Sequence, residues 1–326
     1  MFFEDGVNQE KVPDAIKISI EYTMGRNDDS PMKKIIPLLI SSLLFLSSCG
    51  GGKIVPPIVT LRDIAGMDRI AEGELISLGE HVRLFIPRGY SPPESGELSL
   101  TVHFHGAFWF AMEEHARRGA TNPLLMYGGL QGSSAYKEPF LNRELFGNLL
   151  REVESELEKR DEIPIRVSGV EISSFSAGYG AVREILKSPE YVEMIDAVIL
   201  ADSMYAAFAN PGTEDRTPRE EHVSPFIDFA RLAAKGNKIF IVAHASMVTK
   251  DYASPTDCAR YLVSTLGESL EPVEPGSLPS SAPKLDYPLK TRFDAGGLHV
   301  WGYGGTDAKS HMAMARALAD YWNSLE

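Results

Sequence analysis

The sequence predicts an α/β fold, and three observations predict it. Apolar, β-leaning runs recur along the second half of the chain: 167–172, 197–201, 238–243 and 297–304. Amphipathic helical repeats lie between such runs, the clearest being Leu141, Leu145, Leu149, Val153 and Leu157, spaced every four residues with charges between them. At Ser174-Phe175-Ser176-Ala177-Gly178 a strand breaks in a tight turn, and the chain continues as a helix with Val182, Ile185 and Leu186 on one face. With 326 residues, 44% of them hydrophobic, there is chain enough for one large α/β domain with a substantial core. A formal net charge of -13 and the lack of basic runs in the body of the chain argue against nucleic acid as a partner.

The N-terminal part reads separately. Lys33 and Lys34 form a positive region, and residues 35–45 form an apolar run too short to span a membrane. The run ends in Leu46-Ser47-Ser48-Cys49, followed by three glycines, an order that resembles a bacterial lipoprotein signal. That resemblance implies a signal peptide over 32–48, a lipid-bearing Cys49, and an exported protein anchored to a membrane of the cell envelope. Residues 1–31 are read as a mis-assigned extension ahead of a start at Met32, with a cytoplasmic extension as the alternative. Residues 49–75 are a tether and lead-in, and 76–326 the main domain. With Cys49 carrying lipid, Cys258 has no partner, and its place in a helical stretch reads as a small buried hydrophobe.

Within the domain, 82–87 and 98–105 read as two early strands around a Pro-Pro-Glu-Ser-Gly turn. The second ends in His103-Phe104-His105-Gly106-Ala107. An H-x-H pair on a strand would suit a metal, but no further ligands follow at a convincing spacing, so no metal is assigned. Residues 128–136 read as a Gly/Ser-rich loop without the lysine of a phosphate-binding loop. Residues 206–222 are polar and loop-like and 224–234 helical, so about 203–236 is a candidate lid or cap. Residues 268–290, rich in proline, read as an irregular excursion. The last strand, 297–304, leads to a terminal helix with Met314, Leu318, Trp322 and Leu325 on one face.

The small-x-Ser-x-Gly turn from strand to helix resembles the nucleophile elbow of the α/β-hydrolase superfamily of serine esterases, lipases and peptidases. Its spacing is steric: the turn strains the serine backbone, so the positions two before and two after it must be small. Here they are Ser174 and Gly178, with Gly180 just beyond; Ser174 in place of the usual glycine is the one departure. The resemblance covers most of the chain after about Val82. It implies a mostly parallel central sheet flanked by helices on both faces, and it implies a serine hydrolase acting on an ester of small-molecule or lipid-like kind without a cofactor.

Carried onto this sequence, the resemblance makes Ser176 the nucleophile and His311 the base, since His311 follows the last strand ahead of the terminal helix. His299, inside that strand, does not fit. Asp202, at the tip of 197–201, is the favoured acid, with Asp251 as the alternative. Asp257 has another job as the third helical residue after an N-cap at Ser254. The backbone N–H groups of Ala177 and of Ala107 or Phe108 are the oxyanion donors. His105, Gly106, Trp109, Tyr179 and His244 are candidates for the substrate pocket, with Phe110 and Met112 either walling it or packing in the core. A peptidase or amidase, an acyltransferase, and a non-catalytic envelope lipoprotein remain the alternatives.

Overall fold

The computed structural model describes residues 71–274, 276–277 and 282–324. The expected signal segment, Cys49 and the tether lie outside the described residues, as does Leu325. Among the described residues no helix is long and apolar enough to cross a membrane.

Among the described residues ten strands form one sheet: β1 (Gly73–Ser77), β2 (Val82–Pro87), β3 (Glu97–Phe104), β4 (Leu124–Tyr127), β5 (Arg166–Phe175), β6 (Ile195–Ala201), β7 (Ile239–His244), β8 (Glu271–Pro272), β9 (Leu289–Ala295) and β10 (Leu298–Tyr303). Their spatial order is β1-β2-β4-β3-β5-β6-β7-β10-β9-β8. The central six, β4-β3-β5-β6-β7-β10, run parallel, and the flanking pairs are antiparallel. Nine helices occur among the described residues: α1 (Phe108–Arg117), α2 (Ser133–Phe140), α3 (Glu144–Asp161), α4 (Tyr179–Ile185), α5 (Pro189–Met194), α6 (Glu220–Ala234), α7 (Pro255–Ser264), α8 (Ala308–Ala315) and α9 (Leu318–Asn323). This is the α/β-hydrolase fold, a mostly parallel sheet with helices on both faces.

Side chains alternate across a strand, so each central strand feeds two cores. Val198 and Leu200 of β6, Phe240 and Val242 of β7, and Leu298 and Val300 of β10 point into one core, shared with α2, α3, α4, α6 and α7. Ala197, Ile199 and Ala201, Ile241 and Ala243, and Trp301 and Tyr303 point into the other, under α8 and α9. Such doubly buried strands read as continuous apolar runs, which is why they stand out in the sequence.

Several elements differ from the sequence expectation. β1 was not expected because its residues are half exposed, and β4 because it has only four residues. The Gly/Ser-rich stretch 128–136 is a loop only as far as Gly132; Ser133 opens α2, which buries Tyr136 and Phe140 one turn apart. α3 begins at Glu144, so Leu141 lies ahead of it and is exposed, while Phe146, Leu149, Leu150, Val153 and Leu157 form the buried face. α6 buries Val223, Phe226, Ile227, Phe229, Ala230 and Ala233, so the 220–234 part of the candidate lid is a helix of the main core. The terminal helix is two helices, and His311 lies within the first of them, not in the loop before it.

Candidate active site

Four non-glycine residues adopt positive φ among the described residues: His105 (+71°), Glu162 (+59°), Ser176 (+47°) and Asp202 (+47°). Glu162 is the left-handed cap that ends α3. The other three stand one residue beyond β3, β5 and β6, which are neighbours in the sheet. Left-handed backbone costs a residue with a side chain about 1–3 kcal/mol, and such strain gathers where function holds it.

At the middle tip, β5 ends at Phe175, Ser176 to Gly178 form a 3₁₀ turn, and α4 follows. The small residues are required by what they touch. A Cβ on Gly178 would stand 2.4 Å from the Phe104 carbonyl oxygen, and one on Gly180 would stand 2.3 Å from that of Ser133. The elbow helix is therefore seated against the end of β3 and the start of α2.

The loop after β3 is fastened from below by His103. Its Nδ1 lies 2.8 Å from Ser173 Oγ and its Nε2 lies 2.8 Å from the His105 carbonyl oxygen. A carbonyl can only accept, so Nε2 carries the proton and Nδ1 accepts from Ser173. Both nitrogens of the H-x-H pair's first histidine are thus engaged. Burial pushes its pKa down to about 4. His105 Nδ1 meets the Tyr136 hydroxyl at 3.0 Å, and that hydroxyl also bonds the Leu130 backbone. Burial, with His311 nearby, pushes His105 down to about 4 as well, so it is neutral at neutral pH. Beyond it come Gly106, at φ +119°, and Ala107, the N-cap of α1 with no side-chain cap. The first N–H groups of a helix have no partner within it. Those of Ala107 and Phe108 thus lie at an uncapped helix start beside the elbow.

His311, in the second turn of α8, donates Nδ1–H to Asp202 Oδ2 at 2.6 Å. Asp202 is fully buried, and its Oδ1 accepts the Ala245 N–H at 3.2 Å. Because the carboxylate takes Nδ1–H, Nε2 is left to face other groups. The ring of His311 packs on that of Phe175 at 4.6 Å between centroids, and His105 stacks on Phe175 at 5.9 Å. Phe175 immediately precedes Ser176, so one aromatic ring gathers both imidazoles beside the elbow. The Ser176 hydroxyl itself has no hydrogen-bond partner among the described residues.

The remaining candidates sort by burial. Asp251 is exposed in the loop after β7, and the His311 imidazole pairs with Asp202 instead. Asp257 closes a capping box with Ser254 and pairs with Arg216 at 2.6 Å; though burial opposes it, these partners hold its carboxyl below the usual range. Two pocket candidates fail. Tyr179, the first residue of α4, is buried in the main core, its ring tilted against that of Tyr205 at 5.6 Å between centroids. His244 is fully buried behind Asp202, with Nδ1 directed at the Ala245 carbonyl and Thr256 and with Nε2 unpartnered, so it cannot touch substrate. Met112 is core, whereas Trp109 is 38% exposed beside Phe108 and Met312 is 41% exposed beside His311. Sequence reasoning weighed His103 only as half of an H-x-H pair and assigned no role to Phe175, Tyr136 or Ser203; only the alternation of β3 and β5 hinted at the places of His103 and Phe175.

No family model and no curated protein matches this sequence. Among solved structures, the chain is similar to the poly(3-hydroxybutyrate) depolymerase LpqC from Bordetella parapertussis (14% identity, 79% of this chain and 87% of that one, TM-score 0.40). It is also similar to a thermostable esterase (16%, 78% and 60%, TM-score 0.39). A third such structure is the acetyl xylan esterase from Aspergillus awamori (10%, 76% and 99%, TM-score 0.40). None of these scores reaches 0.5, and the strand order of the sheet is what defines the fold.

Proposed function

We propose that this protein is a serine hydrolase that cleaves carboxylic esters, with Ser176 as nucleophile, His311 as base and Asp202 as acid. The carrying observation is the His311–Asp202 pair at 2.6 Å, its imidazole packed on Phe175 next to a serine held at φ +47°. Ser176 Oγ attacks the ester carbonyl carbon while His311 Nε2 takes its proton. The charge gathering on the carbonyl oxygen is received by the N–H of Ala177 and of Ala107 or Phe108. His311 then passes the proton to the departing alcohol oxygen, leaving an acyl group on Ser176. Water, deprotonated by the same nitrogen, attacks that acyl carbon; the bond to Ser176 Oγ breaks, His311 returns the proton to that oxygen, and the acid leaves. Asp202 keeps the proton of His311 on Nδ1 and balances the imidazolium formed in each half. Neutral His105 adds no competing positive charge. Exposed Trp109, on the helix that follows the donor loop, and exposed Met312, next to His311 in the chain, favour an ester with an apolar part.

Labelling with a fluorophosphonate probe, followed by mapping of the modified peptide, tests this reading. Labelling at Ser176 is expected, lost in Ser176→Ala. Equal labelling of that variant removes the reading. The lipoprotein-like segment 32–49 makes the same enzyme an envelope protein: Cys49→Ala is expected to move it out of the membrane fraction.

A further inference from the structure

Ser174 is the position where the elbow departs from the usual glycine, and the structure uses its hydroxyl. Ser174 Oγ lies 2.8 Å from Ser203 Oγ, and Ser203 Oγ lies 2.9 Å from the Ser176 carbonyl oxygen. Ser174 and Ser203 are both buried. The proton assignment has one solution. The carbonyl only accepts, so Ser203 spends its hydrogen there and accepts that of Ser174. A directed chain therefore runs from Ser174 to Ser203 to the backbone of Ser176.

The carbonyl it ends on belongs to the peptide that joins Ser176 to Ala177. That unit is planar and trans, so its C=O and N–H point in opposite directions. Fixing one end fixes the other. We propose that Ser203 is a positioning residue that aims the Ala177 N–H at the developing oxyanion, with Ser174 holding Ser203 in place; this rests on the reading of Ser176 as nucleophile. Aim matters because a hydrogen bond weakens steeply as its angle closes below about 120°. The bond to the carbonyl also polarises the same peptide, which strengthens the N–H as a donor. Ser203 follows Asp202 in sequence, so one turn after β6 carries both the acid that orients the base and the hydroxyl that orients the oxyanion donor.

The test uses p-nitrophenyl butyrate turnover per probe-titrated active site, with butylboronic acid as an oxyanion-forming inhibitor. Removing an oxyanion donor outright costs about 10²–10³ in kcat, so misaiming one in Ser203→Ala is expected to cost about tenfold or more. KM should stay within about twofold, and the inhibition constant of butylboronic acid should rise in step with the fall in kcat. Ser174→Ala should show a smaller loss, and the double variant should match Ser203→Ala, because Ser174 acts only through Ser203. Should Ser203→Ala not fold, Ser203→Cys, nearly the same shape but a weaker donor, carries the same prediction at smaller size. Titrated Ser203→Ala turning over at the wild-type rate would overturn the proposal. So would a fall in kcat with butylboronic acid affinity unchanged, since a merely structural role gives that pattern. Absence of labelling at Ser176 in the wild type is a separate failure: it removes the hydrolase reading and this proposal with it.

Discussion

The His311 imidazole and the Asp202 carboxylate, 109 positions apart in the chain, meet at 2.6 Å in a place where Asp202 has no exposure. A carboxylate so buried is tolerated because two donors, His311 Nδ1–H and Ala245 N–H, meet it. Asp202→Asn keeps the shape but places a donor against Nδ1 and favours the wrong tautomer. The expected result is a fall of about 10³–10⁴ in kcat. Asp251→Asn, in an exposed loop, is expected to turn over normally. Steady-state kinetics of the two variants separate the acids.

The strain at Ser176 predicts opposite effects on activity and stability. Glycine accepts φ +47° without steric cost, so Ser176→Gly should be inactive yet more stable than Ser176→Ala by about 1 kcal/mol. Urea denaturation midpoints measure the difference; equal midpoints would mean that the backbone there is not strained.

Gly178→Ala should be strongly destabilising. Its Cβ would stand 2.4 Å from the Phe104 carbonyl oxygen, and backbone on both sides leaves nothing cheap to move. A loss of at least about 2 kcal/mol is expected, or failure to fold. Calorimetry reads it directly.

Stability should fall with acid through the buried histidines. His103 and His105 are pushed down to about 4, and His115 to about 3, mainly by burial. Unfolding returns each to about 6.5. Between these limits the unfolded chain binds more protons, so stability is present above about 6.5 and is lost as pH drops toward 4. The denaturation midpoint, followed from pH 7 to 4, should decline continuously; a flat profile would contradict the buried neutral imidazoles.

Asp257→Ala should separate structure from chemistry. It removes the capping box of α7 and the Arg216 pair, at a cost of about 1–2 kcal/mol, while turnover per titrated active site is unchanged. A large loss of titrated turnover would place Asp257 closer to the reaction than its partners do.

Much of this was legible in the chain. The central strands announce themselves because burial on both faces leaves no polar alternation in β6 or β7. The turn at Ser176 is marked by Ser174, Gly178 and Gly180, whose smallness answers contacts with Phe104 and Ser133 that are fixed by sterics. What stayed hidden depends on pairing across the sheet. That Ser173 supports His103, or that Ser203 reaches Ser176, follows from registers joining β5 to β3 and β6, and no local pattern encodes those registers. His244 and Tyr179 misled for the same reason: each lies near the site along the chain, yet its side chain turns into the interior.

Phe175 pairs with Ala201 across β5 and β6, so Ser176 and Asp202 are the first residues past matched rungs of the sheet. A slip of one rung would separate their turns by about 3.3 Å and invert which side of the sheet every β6 residue faces. On the proposed reading of Ser176 and Asp202, turnover doubles as a gauge of assembly: only molecules whose middle strands have locked into the right alignment bring the two turns together.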